Sequence, residues 1–160
     1  MFWINVIVRD RLSAVYNVWM QRILGIDYGR ARLGVAISDP TGSIALPLEI
    51  LHVPHPRAAV PDLKRLTAAH AVTRIVVGLP LDASGAENDL TSEIRAWSET
   101  IIRATGCPVE FVDERFTSQL ADRVIDLHKP GQKRRKAREH RDQIAAQAIL
   151  QSWLDQQRNG

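Results

Sequence analysis

A single cysteine, Cys107, stands in 160 residues. One thiol excludes a disulfide framework and a cysteine-type zinc site, and it makes a reducing compartment the natural setting. Aromatic residues are sparse, at 6%. No run approaches the 18 or more apolar residues of a membrane span. The start MFWINVIV is apolar but has no basic segment before it, and RDR follows it instead of a small-residue cleavage site. It does not read as a signal peptide. Low-complexity tracts and fixed-period repeats are also missing. So are a Walker A loop, G-x-G-x-x-G, H-E-x-x-H and G-x-S-x-G. The five histidines show no ligand spacing, and His52 and His55 read as loop residues. Cys107 before Pro108 reads as packing, as do Trp97 and Trp153.

What the sequence does have is unevenly placed charge. The formal total is +3, with 45% hydrophobic and 24% charged residues, as in one globular domain large enough for its own core. Residues 129–141, KPGQKRRKAREHR, carry seven Lys/Arg and one Glu. That segment is +6, so the total of +3 leaves the other 147 residues at −3. A mildly acidic body with one basic segment points to a polyanionic partner.

Residues 1–21 show no sustained period, and Met20 stands just before the first clear strand. The reading is an N-terminal extension over 1–21 with Met20 as the working start, then one domain over 22–157. Intact mass of the product of the native gene tests this; a product retaining Met1 contradicts it. RILGID and LGVAIS are β-type runs joined by YGRAR, as in a hairpin. IALPLEIL holds Pro47 and so belongs at a sheet edge. Leu63, Leu66 and Ala69 or His70 have helical spacing behind Pro61. RIVVGL is nearly continuous in apolar residues, as in a strand covered on both faces. Leu90, Ile94, Trp97 and Ile101 mark a helix from about Asn88 to Thr105, stopped by Gly106 and Pro108. VEFVD is a fifth strand. Thr117 or Ser118 then caps a helix with Leu120, Ala121, Val124 and Ile125, and after a flexible basic loop Ala145, Ala146, Ile149, Leu150 and Trp153 stripe a last helix.

The order β-β-β-α-β-α-β-α-α describes an α/β mixed sheet. If the first, fourth and fifth strands are parallel, their carboxyl ends share one edge, where open α/β sheets bind ligands. Asp27 and Glu114 converge there, and Asp142 lies on the packed face of the last helix. Each alone has a bland reading: a turn residue, a surface ion pair, a helix acid near Arg138 and Arg141. Together, three carboxylates at one edge repel one another unless a hard divalent cation such as Mg²⁺ or Mn²⁺ compensates them. The basic segment, a solvated face in most proteins, here precedes Asp142. Lys133, Arg134, Arg135, Lys136 and Arg138 then suit a nucleic acid held by its phosphates.

These residues together resemble the YqgF family, also called RuvX. The resemblance runs from about Arg22 to Asp155 on RILGIDYGRARLGVAISDP, IVVGLPLDASGAEN, FVDERFTSQLA and HRDQIAAQAILQSWLD. It implies a ribonuclease H-like fold, a five-stranded sheet of order 3-2-1-4-5 with helices on both faces. It further implies metal-binding acids at Asp27, Glu114 and Asp142, and site neighbours at Arg32, Arg115, Thr117 and Ser118. The implied activity is two-metal phosphodiester hydrolysis in the cytoplasm on Mg²⁺ or Mn²⁺. Its implied substrate is the 5′ end of precursor 16S ribosomal RNA, within reach of ribosomal particles, with a Holliday junction as the alternative. A junction would favour a dimer, because it presents two symmetric strands. Two other readings compete. A non-catalytic RNA- or ribosome-binding module would need only the basic segment, and an actin-like ATPase would use D-Y-G-x-x-x-x-G as a phosphate loop. The latter needs two such domains, and the chain supplies one.

Overall fold

The structure is a computed structural model; it describes residues 21–117 and 134–159, with side chains from Arg141 onward in the second stretch. The expected third helix over 117–125 and the residues Ser118 and Lys133 fall outside the described residues, as does the extension up to Met20.

Five strands form one mixed sheet in the order β3-β2-β1-β4-β5. Strand β1 is Arg22–Asp27, β2 Arg32–Ser38, β3 Ala45–His52, β4 Val72–Leu79 and β5 Val109–Asp113. The β1/β2 and β2/β3 pairs are antiparallel, whereas β1/β4 and β4/β5 are parallel. Pro47 falls on the edge strand, beside a register shift between Val35 and Ala36. The edge is where a missing N–H costs least. Asp39 shapes the β2–β3 turn by accepting from the Ser43 and Ile44 amides at 2.7 and 2.8 Å.

Helix α1, Val60–Ala69, begins on Pro61 and buries Leu63, Leu66 and Thr67. Thr67, not the expected Ala69, completes the packed face, its hydroxyl donating to the Lys64 carbonyl at 3.0 Å. Helix α2, Asp89–Thr105, opens with a capping box in which Asn88 and Thr91 bond each other's amides at 3.0 and 2.8 Å. Gly106 closes it at φ 73°, a left-handed value that suits glycine. Both helices cover one face of the sheet, over Leu24, Ile26, Leu33, Val35, Ile75 and Val77. Trp97 anchors this layer, its indole donating to the Pro56 carbonyl at 3.0 Å.

The other face carries one long helix, α3, Arg134–Asn159. It was expected to start near Asp142, after a flexible loop. The structure instead extends it back through the basic residues, because Arg, Lys, Ala and Glu are good helix formers even where no apolar stripe marks the period. Asp142 therefore lies eight residues into the helix and is not a helix-terminal acid. Ala146, Ile149, Leu150, Trp153 and Leu154 pack on Ala36, Ala45, Val76 and Val112. Gln147 and Gln151 bond the backbone of Ala45 at 2.9 and 2.8 Å, tying the helix to the start of β3. Cys107 is buried, and its thiol donates to the Val72 carbonyl at 3.4 Å.

Candidate active site

The carboxyl ends of β1, β4 and β5 do share one edge, and two glycines shape it. Asp27 ends β1 directly opposite Gly34 of β2. On its other side it lies one step beyond the Ile26–Val77 pair, next to Gly78. An isolated glycine in a strand marks a close approach of something else. At Gly34 a Cβ would collide with the Asp142 carbonyl of α3. At Gly78 it would collide with the Glu114 carboxylate. Gly25, two residues before Asp27, faces Leu150 of the same helix, where a Cβ would stand 2.6 Å from the Leu150 Cβ. The helix backbone thus rests directly on β1 and β2, and Glu114 folds back across β4. Both acids are drawn towards Asp27.

Electrostatics report the same convergence. Burial, then the charges of Glu114 and Asp142, push Asp27 up to about 7, with Arg32 acting in the opposite sense. Burial and the neighbouring Asp113 also raise Glu114. Asp113 itself is held below the usual carboxylate range by the Arg115 guanidinium, whose Nε and Nη2 lie 2.9 and 2.6 Å from Asp113 Oδ2. Of the two adjacent acids, Asp113 is therefore satisfied locally and Glu114 faces the site. Arg115 also packs against Gly85, fastening the loop after β4 to the end of β5. Thr117 is buried, and its hydroxyl donates to the Glu114 carbonyl at 2.9 Å, so it braces the turn that carries Glu114.

A cleft of about 560 Å³ opens between Asp27, Asp142, Arg32, His52 and the Tyr28–Ala31 turn. Arg32 Nε lies 2.8 Å from Asp142 Oδ2. His52, expected in a loop, is the last residue of β3, paired with Arg32 across the sheet. The turn is clamped to α2: the Tyr28 hydroxyl donates to Glu93 at 2.6 Å, and Arg30 Nη2 meets the same carboxylate at 2.7 Å. The Tyr28 ring meets Trp97 edge-on at 5.1 Å between centroids. Burial and Glu93 push the Tyr28 hydroxyl well above its ordinary range.

Arg134, Arg135, Lys136 and Arg138 lie in the first turns of α3, upstream of Asp142. Sequence reasoning missed His52, Glu93 and the supporting glycines. The signal for the last was present as isolated glycines inside strand-type runs.

As donors, three carboxylates suit a hard divalent cation. Among the described residues no three His, Cys, Asp or Glu side chains are already drawn into a metal-binding group. The acids are gathered, with Arg32 on one of them.

Comparison with known proteins agrees with this architecture. T. thermophilus RuvC in complex with a Holliday junction substrate superposes with a TM-score of 0.57 at 12% identity, covering 87% of this chain and 96% of that one. Fowlpox virus resolvase does so at 0.51 and 11%, covering 86% and 99%. Such likeness fixes the fold as ribonuclease H-like. In sequence, a Chloroflexus aggregans protein named "Putative pre-16S rRNA nuclease" is 42% identical over 139 residues, 87% of this chain and 96% of its own length. A protein of the same name from Dictyoglomus thermophilum is 40% identical over 137 residues, 84% of this chain and 95% of its own. The family described as RuvX, Holliday junction resolvase, matches residues 21–156, and the chain belongs to that family.

Proposed function

We propose that this nuclease of the RuvX family hydrolyses phosphodiester bonds of structured RNA at the Asp27, Glu114 and Asp142 edge, and that its substrate is the precursor of 16S ribosomal RNA. The observation that carries the reading is the convergence of three acidic residues on one sheet edge: the backbone of Asp142 rests on Gly34, the Glu114 carboxylate lies over Gly78, and Asp27 is pushed up to about 7 by burial and these two acidic neighbours. Such a cluster suits Mg²⁺ or Mn²⁺ as cofactor, with Asp27, Glu114 and Asp142 as its protein ligands. Bound there, a divalent cation supplies activation of water and charge stabilisation at the phosphate, and a pair of ions divides these tasks.

The chain's own residues do the rest. Gly34 leaves room for the α3 backbone at Asp142 and Gly78 for the Glu114 carboxylate, while Arg115 pairs with Asp113. Thr117 fixes the turn of Glu114. Arg32 and His52 line the cleft where a phosphate would enter. The positive segment 129–141 meets the backbone of the polyanion on the α3 side, and its contacts are sequence-independent.

The RNA substrate is favoured by the names of the relatives, and a DNA junction by the family's description. A cleavage assay on precursor rRNA beside a synthetic four-way junction, with and without Mn²⁺, separates them. Mn²⁺-dependent cut at the rRNA 5′ end is expected; cleavage of the junction alone overturns the substrate. A cytoplasmic location, at ribosomal particles, accompanies this reading. Among the described residues no helix is long and apolar enough to cross a membrane.

A further inference from the structure

Arg32 stands where the acids meet. Its Nε lies 2.8 Å from Asp142 Oδ2, and its charge also acts on Asp27. Its backbone is fixed as the first residue of β2, opposite His52, so any movement belongs to the side chain. That side chain is 36% exposed and borders the open cleft, which leaves it room to move.

One guanidinium brings a single positive charge to a place where three carboxylates converge. A divalent cation brings twice the charge and bonds oxygen directly. Both cations are drawn to the same carboxylate, whose Oδ2 lies 2.8 Å from Arg32 Nε, so a cation bound there meets the guanidinium's like charge at close range.

We propose that Arg32 is the resident counter-ion of the site: it holds Asp142 in place without metal, yields that carboxylate when a divalent cation binds, and is left at the cleft mouth for a substrate phosphate. This rests on the reading of the three acids as metal ligands. Arg32 acts through Asp142 and is in that sense a positioning residue.

The test is Mn²⁺ binding by calorimetry, with thermal unfolding in EDTA and in Mn²⁺, for the wild type, Arg32→Gln and Arg32→Lys. Removing the competing charge should tighten Mn²⁺ binding by about fivefold, the order of one partly exposed ion pair. Arg32→Gln should also unfold at lower temperature than wild type in EDTA and gain more from Mn²⁺. Arg32→Lys, which keeps the charge, should bind Mn²⁺ nearly as the wild type does. Equal affinity in Arg32→Gln, with the same loss of Tm in EDTA and in Mn²⁺, makes Arg32 an ordinary structural ion pair and overturns the proposal. Weaker binding overturns it too, by making Arg32 a helper of the metal. If Mn²⁺ neither binds nor stabilises the wild type, the metal reading itself falls, and this inference with it.

Discussion

Glu114 reaches the carboxyl edge of β1, β4 and β5 by lying across Gly78, whose missing Cβ leaves the space that the carboxylate fills. The Ile149 side chain crowds the same position, at 2.5 Å from where that Cβ would be. Gly78→Ala should therefore displace Glu114 or lift α3. The expected cost is about 1–3 kcal/mol of stability, as for overpacking elsewhere. Cleavage should fall by about a hundredfold or more, since small misplacements of a catalytic group are that costly. Gly106→Ala, strained at its own φ of 73° but with open space around it, gives the comparison in denaturant melts and cleavage rates. It should lose stability with far less effect on turnover per folded molecule.

Asp27 sets a pH signature in metal-free protein. Its folded pKa of about 7 lies above the ordinary carboxylate value of 3.8. Between these values the unfolded chain has already given up a proton that the native state retains, so the native state loses stability as pH rises. From pH 6 to pH 8 in EDTA this group should remove about 1 kcal/mol, roughly 3 °C in Tm for a domain of this size. Asp27→Asn should flatten that slope. Saturating Mn²⁺ should abolish it in the wild type, because the cation selects the ionised carboxylate and the native state then retains no extra proton. A wild-type slope unchanged by Asp27→Asn would contradict the placement.

Glu93 holds the turn that follows Asp27 through Tyr28 and Arg30. Glu93→Ala leaves the acids in place but frees that turn. Cleavage should drop by roughly tenfold, with stability lowered by about 1 kcal/mol for the lost charge-assisted bonds. Rates measured at substrate saturation and at low substrate would locate the effect. An unaltered rate would show that the clamp serves the fold alone.

The basic start of α3 is expected to act through phosphates. Alanines at Lys133, Arg134, Arg135 and Lys136 should weaken binding of all sequences alike. The slope of log affinity against log salt should shrink by roughly 0.7–0.9 for each phosphate contact removed. Binding titrations at several salt concentrations, in EDTA to prevent cleavage, read this directly. An unchanged slope would place the nucleic acid elsewhere.

The strand runs were legible because β-branched and aliphatic residues cluster between turn signals, and Asp27 was legible because it ends such a run. The edge place of β3 was announced by Pro47. Helix α3 was legible only from Asp142 onward. Its earlier turns, from Arg134, lack an apolar stripe, so a reading based on hydrophobic period ends too soon. Thr67 took the buried place expected of Ala69 or His70, and its hydroxyl is satisfied within the helix by the Lys64 carbonyl. Convergence of Glu114 and Asp142 on Asp27 depends on Gly34 and Gly78, which only the sheet register brings beside Asp27. His52 was hidden for the same reason, since its pairing with Arg32 is a fact of register.

Asp27, Glu114 and Asp142 are proposed to act together as one metal-dependent centre. Single-turnover cleavage of a structured RNA, in Mn²⁺ and in EDTA, tests it most directly when Asp27→Asn, Glu114→Gln and Asp142→Asn are run beside the wild type. The prediction is cleavage by the wild type only with Mn²⁺ and a loss of about a thousandfold or more in each variant, with the double variants no worse than the single ones, as for groups that act as a unit. Wild-type cleavage that persists in EDTA, or full activity in any of the three variants, would contradict it.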